Sequence, residues 1–342
     1  MGIDKELFMA NTVYIGDNIK WGGLNMSRKK SLIILILVLT LIASVSCVDT
    51  NMQKEVGGNS EHLEQEKAKE REEKIIAQLR KFNETDVDLS KTIKFIDENV
   101  DKVSKGGASL MISLLEEAHN NHLQNFEENF FHSDIQEGFI DVFNSGTDLE
   151  DIENIDNEEL NKLLAETKNM GYRVETVEGM FFPIIDYRFY EKYNCYVTED
   201  MKAYIEIMSI ESTEIPARDA GLAVSWDELI DRAIRQEGFI TEYPDSIQID
   251  KTKKIFSNYI NFIFYGLDNT PLFNHGDNSI RDNAKKAYLE TIKSESDSKL
   301  IETLADFVNV LEQNDYKLTG DVNDFRKNAV ERITGRKDIN GH

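Results

Sequence analysis

The sequence predicts a mainly α-helical fold, a helical bundle-like domain or pair of domains with one short β-hairpin near the middle. Two observations predict the helices. Apolar residues recur at helical spacing, and all four prolines fall between residues 183 and 271, which leaves both flanks free for long helices. A third observation predicts the hairpin: the apolar segments 172–177 and 180–185 flank the turn residues Glu178 and Gly179.

The composition is that of a soluble globular protein. The 342 residues include 39 Lys and Arg against 63 Asp and Glu, so the formal net charge is -24. Two cysteines are too few for a disulfide-stapled scaffold, and 30% charged residues are too many for a multispan membrane protein. The acidity argues against a nucleic-acid partner, because Lys and Arg supply most of the affinity for phosphate.

The N-terminal segment has the pattern of a secretory signal. A basic cluster at 28–30 precedes an uncharged apolar run at 32–43, which is shorter than the roughly 20 residues that span a membrane. The run ends in small residues before Cys47, and here the chain resembles a bacterial lipoprotein signal, although Ser44 stands where that family usually has Leu. The resemblance implies that Cys47 carries a diacylglycerol and palmitate anchor on the extracytoplasmic face of the cell membrane.

The resemblance also divides the N-terminal part of the chain. We expect 26–46 to be the signal peptide, 1–25 to be a mis-annotated upstream extension, and translation to start at Met26. Residues 47–73 are highly polar and are predicted to be a tether, whose second half is compatible with a solvated helix.

Capping residues and apolar stripes place the helices along the rest of the chain. Asn157 favours a helix start and Gly171 a helix end. Thr198 is a further N-cap candidate, and Ser225 with Glu228 forms a capping box. The complete prediction is helices over 89–103, 108–132, 157–170, 251–265, 283–294, 298–313 and 322–334, with others starting near 133, 198 and 225.

We group these helices into an N-terminal unit, 74–171, and a C-terminal unit, 172–336, which contains the aromatic and proline-rich middle; a single bundle with a central insert fits equally well. The stretch 179–197 and the helices after it resemble uncharacterised helical lipoproteins of low-GC Gram-positive bacteria. That resemblance implies no activity.

Glu116, His119 and His122 have the most metal-like spacing in the chain. Successive members are three residues apart and therefore share one edge of a helix. Di-iron bundles use such a unit, but they need two of them with further glutamates. Because only one is present and the histidines continue an apolar stripe, we favour structural histidines and predict no cofactor.

Seven aromatic residues fall in the sixteen positions 181–196. One interpretation makes them a ligand-binding surface that stacks on sugar rings, and the other, which we favour, makes them packing between helical units. The candidate ligand-binding residues are Phe181, Phe182, Tyr187, Tyr190 and Tyr193.

Two carboxylates and one thiol complete the candidates. Glu178 lies just before this segment and Asp186 within it, and they are the candidate acid and nucleophile or base of an envelope glycan hydrolase. Cys195 lies in an aromatic context and is predicted to be a buried, inert cysteine. No phosphate-binding loop, nucleophile elbow, HExxH or CxxC motif occurs.

The sequence therefore predicts a lipid-anchored extracytoplasmic protein, a binding or interaction module for an unknown envelope ligand or protein, with the glycan hydrolase as the alternative. It reaches the membrane through its N-terminal lipid.

Overall fold

The structure, a computed structural model, describes residues 58–84, 88–149, 152–294 and 297–335. Within these residues eleven α-helices and three two-stranded antiparallel sheets confirm the mainly α fold class. The helices are α1 (Gly58–Glu84), α2 (Leu89–Asn99), α3 (Lys105–Phe126), α4 (Ser133–Ser145), α5 (Glu158–Asn169), α6 (Glu199–Thr213), α7 (Trp226–Glu242), α8 (Ile249–Tyr265), α9 (Asp282–Thr291), α10 (Lys299–Gln313) and α11 (Gly320–Thr334). The strands are β1 (Tyr172–Val177), β2 (Met180–Ile185), β3 (Ala217–Arg218), β4 (Gly221–Leu222), β5 (Gly266–Leu267) and β6 (Thr270–Pro271).

Side-chain caps fix several helix starts where the sequence predicts them. The Asn157 side chain accepts a hydrogen bond from the Leu160 amide, and Ser225 accepts one from the Glu228 amide. The helix predicted over 108–132 is wrong at its end, because the backbone tightens into a 3-10 turn at Glu127–Phe130.

The segment predicted as a tether is helical from Gly58 onward, and the sequence is compatible with a solvated helix in its second half. Its many Glu, Lys and Gln residues are strong helix formers. Helix α1 then reaches the core, where Leu79 is fully buried, and the Glu72 carboxylate accepts hydrogen bonds from the backbone amide and hydroxyl of Ser104 at the start of α3. The lipidation candidate Cys47 lies outside the described residues.

The predicted hairpin forms at the predicted residues. Glu178 and Gly179 have φ angles of 51° and 79°, and two residues with positive φ make a type I′ turn, whose twist matches that of the strands. Strands β1 and β2 pair from Val177 with Met180 through Tyr172 with Ile185. One face of the hairpin joins the N-terminal core, and the other packs on Ile215.

Two hydrophobic cores divide the molecule later than the sequence indicates. The N-terminal core runs from Ile75 to Met208 and includes Phe239, while the C-terminal core runs from Trp226 to Val330. The predicted units meet between residues 171 and 172, but the hairpin and α6 bury their apolar faces with the N-terminal helices. Ile255 on α8 contacts both cores, so α8 lies where they join.

Candidate functional site

Glu116 is a buried carboxylate in the middle of α3, and its hydrogen bonds are made within the protein. Its Oε1 accepts hydrogen bonds from the hydroxyls of Tyr187 and Tyr204, both at 2.6 Å. Its Oε2 accepts from the Gln248 amide at 3.2 Å and from the Lys251 ammonium at 2.7 Å. Four donors fill the acceptor positions of the carboxylate, which leaves none for a metal ion.

The tyrosines that bind Glu116 are held in their protonated form. Burial, with the negative charge of Glu116 beside it, raises the pKa of Tyr187 and of Tyr204 well above the ordinary value. A protonated hydroxyl donates to a carboxylate. The two tyrosines therefore act as fixed donors that compensate for the burial of the charge.

His119 is also fully occupied inside the core. Burial lowers the pKa of His119 to about 4, so the ring is neutral at pH 7 and carries one N–H. Its Nε2 lies 2.7 Å from the Met170 carbonyl, and its Nδ1 lies 3.0 Å from the Leu115 carbonyl and 2.7 Å from the Tyr190 hydroxyl. Both ring nitrogens therefore have partners, whichever of them carries the single proton. Neither ring nitrogen is available to a metal.

Gly171 brings the Met170 carbonyl to His119. It has φ +74°, and a Cβ at this position would lie 2.8 Å from Phe189 Cγ and 3.0 Å from His119 Nε2. Only glycine combines this backbone conformation with so close an approach. The predicted helix end at Gly171 is thus also part of the histidine site.

His122 makes a separate contact. Its Nδ1 lies 3.2 Å from the Tyr172 hydroxyl, which donates to the His119 backbone carbonyl at 2.9 Å. Within the described ranges no group of three or more His, Cys, Asp or Glu is arranged to hold a metal ion. The structure therefore does not bring Glu116, His119 and His122 together as ligands, and each is bound to a different set of partners.

The candidate aromatic residues lie inside the protein. Phe181, Phe182, Tyr187, Tyr190 and Tyr193 are each exposed by 3% or less. Phe181 stacks on Phe139 with ring centroids 4.9 Å apart, and the Tyr193 hydroxyl donates to Asp97 at 2.7 Å. These rings form core contacts, as the packing interpretation has them, and do not present a surface for sugar stacking.

The candidate carboxylates Glu178 and Asp186 stand at opposite ends of β2. Glu178 is exposed in the hairpin turn, and Asp186 follows the strand, where it binds Arg188 at 2.8 Å. A six-residue strand spans about 20 Å. Glycosidase carboxylates lie about 5 to 9.5 Å apart, so these two do not form such a pair.

The prediction that Cys195 is buried is wrong: it is exposed. It follows the 3-10 helix Tyr187–Tyr193, and the chain there turns Tyr193 and Val197 into the core on either side of it.

An open groove lies beside β1, and no motif or pattern in the sequence predicted it. It encloses about 600 Å³ between the end of α4, the loop after it, helix α5 and β1. That volume is in the range of ligand-binding clefts, about 300 to 1,000 Å³. Apolar side chains line much of it: Phe143, Leu149, Ile152, Leu164, Val174 and Phe181.

Phe143 is the most exposed large apolar side chain of the groove. It is 64% exposed, and its ring contacts Phe181 edge-on at 6.2 Å between centroids. A sequence signal for it exists: Phe139, Ile140, Val142 and Phe143 cover too wide an arc of α4 for one buried stripe. One face of α4 therefore had to remain in solvent, although the sequence does not indicate what lies beside it.

The edge of β1 supplies the polar part of the groove. A type I′ turn makes Val177 and Met180 a hydrogen-bonded pair, and such pairs alternate along the ladder. Val174 and Pro183 therefore form a non-hydrogen-bonded pair. The N–H and C=O of Val174 point away from β2, toward the groove that Val174 lines.

The two edges of the hairpin differ. On the β2 edge, the Gln136 side chain accepts from the Phe181 amide at 3.0 Å and donates to its carbonyl at 2.7 Å. On the β1 edge, the Thr176 amide donates to Glu175 at 3.0 Å. Among the described residues, no hydrogen-bond partner is found for the backbone N–H or C=O of Val174.

A scan against protein-family models and searches of curated proteins and of solved structures found no match to this chain. No helix in the described part of the chain is long and apolar enough to cross a membrane.

Proposed function

We propose that this chain is a lipid-anchored, extracytoplasmic binding protein of the cell envelope that takes its ligand in the groove beside β1. The observation that supports binding is the groove itself, where the exposed ring of Phe143 and half-buried apolar side chains lie next to an unpaired strand edge. Exposed apolar surface that borders a cleft is typical of ligand-binding and protein-binding sites.

The anchoring part of the proposal depends on the signal-like segment before Cys47. A single lipid attachment holds a protein at the membrane surface while its folded part stays in water. The net charge of -24 keeps that folded part from adsorbing to anionic lipid headgroups. The groove would then face the envelope, where ligands on neighbouring proteins or polymers are within reach.

Labelling with radioactive palmitate tests the anchor. We expect the full chain to incorporate label and the variant Cys47→Ser to incorporate none. The matched control is Cys195→Ser, which removes the other cysteine of the chain and should retain full labelling. Equal labelling of Cys47→Ser and the unmodified chain would refute the anchor.

Photocrosslinking in living cells tests the groove. A benzophenone amino acid replaces Phe143 in one variant and Ile140 in the other. Both residues are exposed on α4, at 64% and 42%, but only Phe143 lines the groove. We expect a discrete adduct from position 143 and none from position 140. Adducts of equal yield from both positions, or none from either, would contradict binding in the groove.

A further inference from the structure

Resting on the proposed binding function, we propose that the ligand is an extended peptide segment of another protein, which adds a third strand to the hairpin along the free edge of β1. This mode of recognition, β-strand addition, needs an exposed strand edge for affinity and side-chain contacts beside it for specificity. The groove has the unpaired backbone groups of the half-buried Val174 and apolar side chains beside them.

Val174 supplies the unpaired hydrogen-bonding groups at the edge of β1. Its N–H and C=O point the same way and belong to one residue, which is the arrangement that an antiparallel partner residue pairs with through two hydrogen bonds. A small molecule can satisfy such a pair too. However, Val174 lies in the middle of the six-residue strand β1, so an extended chain that pairs with it would run alongside that strand.

The other edge of the hairpin supports this interpretation. There the Gln136 amide occupies the N–H and C=O of Phe181 as a backbone amide would. Exposed edges promote unwanted pairing, and folded proteins usually cover them. This molecule covers the β2 edge with its own side chain and leaves the β1 edge open beside apolar walls.

The side chains around the edge define the peptide. Successive residues of a strand point to opposite faces, so every second residue of an added strand would meet the apolar wall that includes Phe143 and Leu164. We therefore expect apolar residues at alternate positions of the ligand.

The charges of the groove add one further requirement. Arg173 pairs with Glu175, and Arg188 pairs with Asp186. The third carboxylate of the groove, Asp148, also has a partner. Lys168 on α5 is exposed and has no ion-pair partner among the described residues. An acidic residue of the peptide would complement it, so we expect one Asp or Glu in the bound segment.

The probe is a library of synthetic ten-residue peptides with Val, Ile, Leu or Phe fixed at alternate positions and all residues allowed between them. It is screened against the full chain purified in detergent. We expect the tightest peptides to contain an acidic residue. The variant Phe143→Ala should bind them about tenfold more weakly, since it removes an exposed aromatic side chain that the bound peptide would cover. Ile140→Ala is the matched control and should bind normally.

N-methylation of the selected peptide tests the strand geometry without altering the protein. In a paired strand only every second N–H is directed at the partner. Methylating those positions one at a time should weaken binding tenfold or more, and methylating the alternate positions should leave it within about twofold. Uniform effects along the peptide, or none, would overturn strand addition.

Two further outcomes would overturn the inference. N-acetylglucosamine oligomers that bind in place of peptides, with the same loss in Phe143→Ala, would refute a peptide ligand while supporting the binding function of the groove. Dimerisation of the chain through β1, seen by analytical ultracentrifugation and abolished by Phe143→Ala, would make the occupant a second copy. If no probe binds and the crosslinker at position 143 gives no adduct, the proposed function fails as well.

Discussion

Two regions of the molecule contain prominent polar groups: the buried site around Glu116 and His119, and the edge of β1. They differ in whether those groups have hydrogen-bond partners within the protein. Glu116 accepts four hydrogen bonds, and both nitrogens of His119 are occupied. In contrast, the backbone N–H and C=O of Val174 on β1 have no hydrogen-bond partner among the described residues.

This difference distinguishes polar groups that stabilise the fold from polar groups that are available to a ligand. Buried polar groups must be hydrogen-bonded, and a complete internal set leaves nothing for a ligand. Polar groups in an open groove are solvated at little cost and stay available. The residues that look most like a functional site in the sequence thus hold the core together, and the proposed binding surface is made of backbone groups and ordinary apolar side chains.

The largest effect should come from breaking the Glu116 network. In Glu116→Leu, two buried tyrosine hydroxyls and one buried amide lose their acceptor, and the partly exposed Lys251 ammonium loses its counter-ion. A buried donor left without an acceptor costs about 1–3 kcal/mol, so the total loss should be about 3 kcal/mol or more. Urea denaturation should show this loss in the free energy of unfolding.

The control is Glu117→Gln, which changes an exposed carboxylate at the next position. It should alter the free energy of unfolding by less than about 0.5 kcal/mol. If Glu116→Leu is as stable as Glu117→Gln, the buried site is not the structural element described above, and the comparison fails.

The pH dependence of stability should report His119. Its pKa is 6.5 in an ordinary environment and about 4 in the fold, so between these values the unfolded chain binds a proton that the folded chain does not. Its contribution to stability is full above pH 6.5 and falls by about 3 kcal/mol as the pH drops to 4. Comparing chemical denaturation of the unmodified chain and His119→Gln from pH 7 to 4 isolates this contribution, and identical slopes would contradict it.

Glu211 should give the opposite sign in the same experiment. Burial raises its pKa from 4.5 to about 7, although Tyr259 and Gln236 donate to it, so the folded chain keeps a proton that the unfolded chain loses. Relative to its value below pH 4.5, the contribution of Glu211 to the free energy of unfolding therefore declines as the pH rises from 4.5 to 7. We expect Glu211→Gln to gain stability relative to the unmodified chain across that interval, and a constant difference between them would refute the shifted pKa.

Gly171→Ala should produce a smaller loss. The new Cβ meets Phe189 and His119, whereas Gly146 has the same φ, +75°, with nothing within 4 Å of a Cβ. Both alanine variants bear the backbone strain of positive φ, about 1 kcal/mol, and only Gly171→Ala adds the overlap, for a further 1–3 kcal/mol. Equal losses in thermal or urea denaturation would show that the contact with His119 is unimportant.

The smallest effect should come from Lys168. Lys168→Gln removes one exposed charge at the groove, so it should leave stability unchanged and weaken an acidic peptide about threefold, in a salt-dependent manner. Lys162→Gln, on the same helix but outside the groove lining, is the matched control. Equal affinities of the two variants, measured by calorimetry, would remove Lys168 from the site.

Local features of the sequence predicted much of the fold. The hairpin is found at its predicted residues because a two-residue turn with glycine fixes the register, and the helix starts after Asn157 and Ser225 follow from caps. The start of α1 at Gly58 and the end of α3 at Phe126 were not predicted, since neighbouring helices and tight turns set them.

The candidate site was less predictable, for physical reasons. Gln248 and Lys251 bind Glu116 from more than 130 positions away in the sequence, and no local pattern encodes such a contact. The groove depends on the placement of Phe143, α5 and the β1 edge, which only tertiary packing determines. Helical spacing did place Glu116 and His119 on one edge of α3, but it did not predict the tyrosines that hydrogen-bond to them.

Hydrogen exchange at the Val174 amide is the most direct test of the central claim. The exchange rates of this amide and of the backbone amides around Glu116 and His119 are measured in the full chain, with and without the selected peptide. Strand addition predicts that exchange at Val174 slows by tenfold or more on binding, while the amides around Glu116 and His119 keep their rates. An unchanged rate at Val174 in the peptide-bound protein would contradict the account.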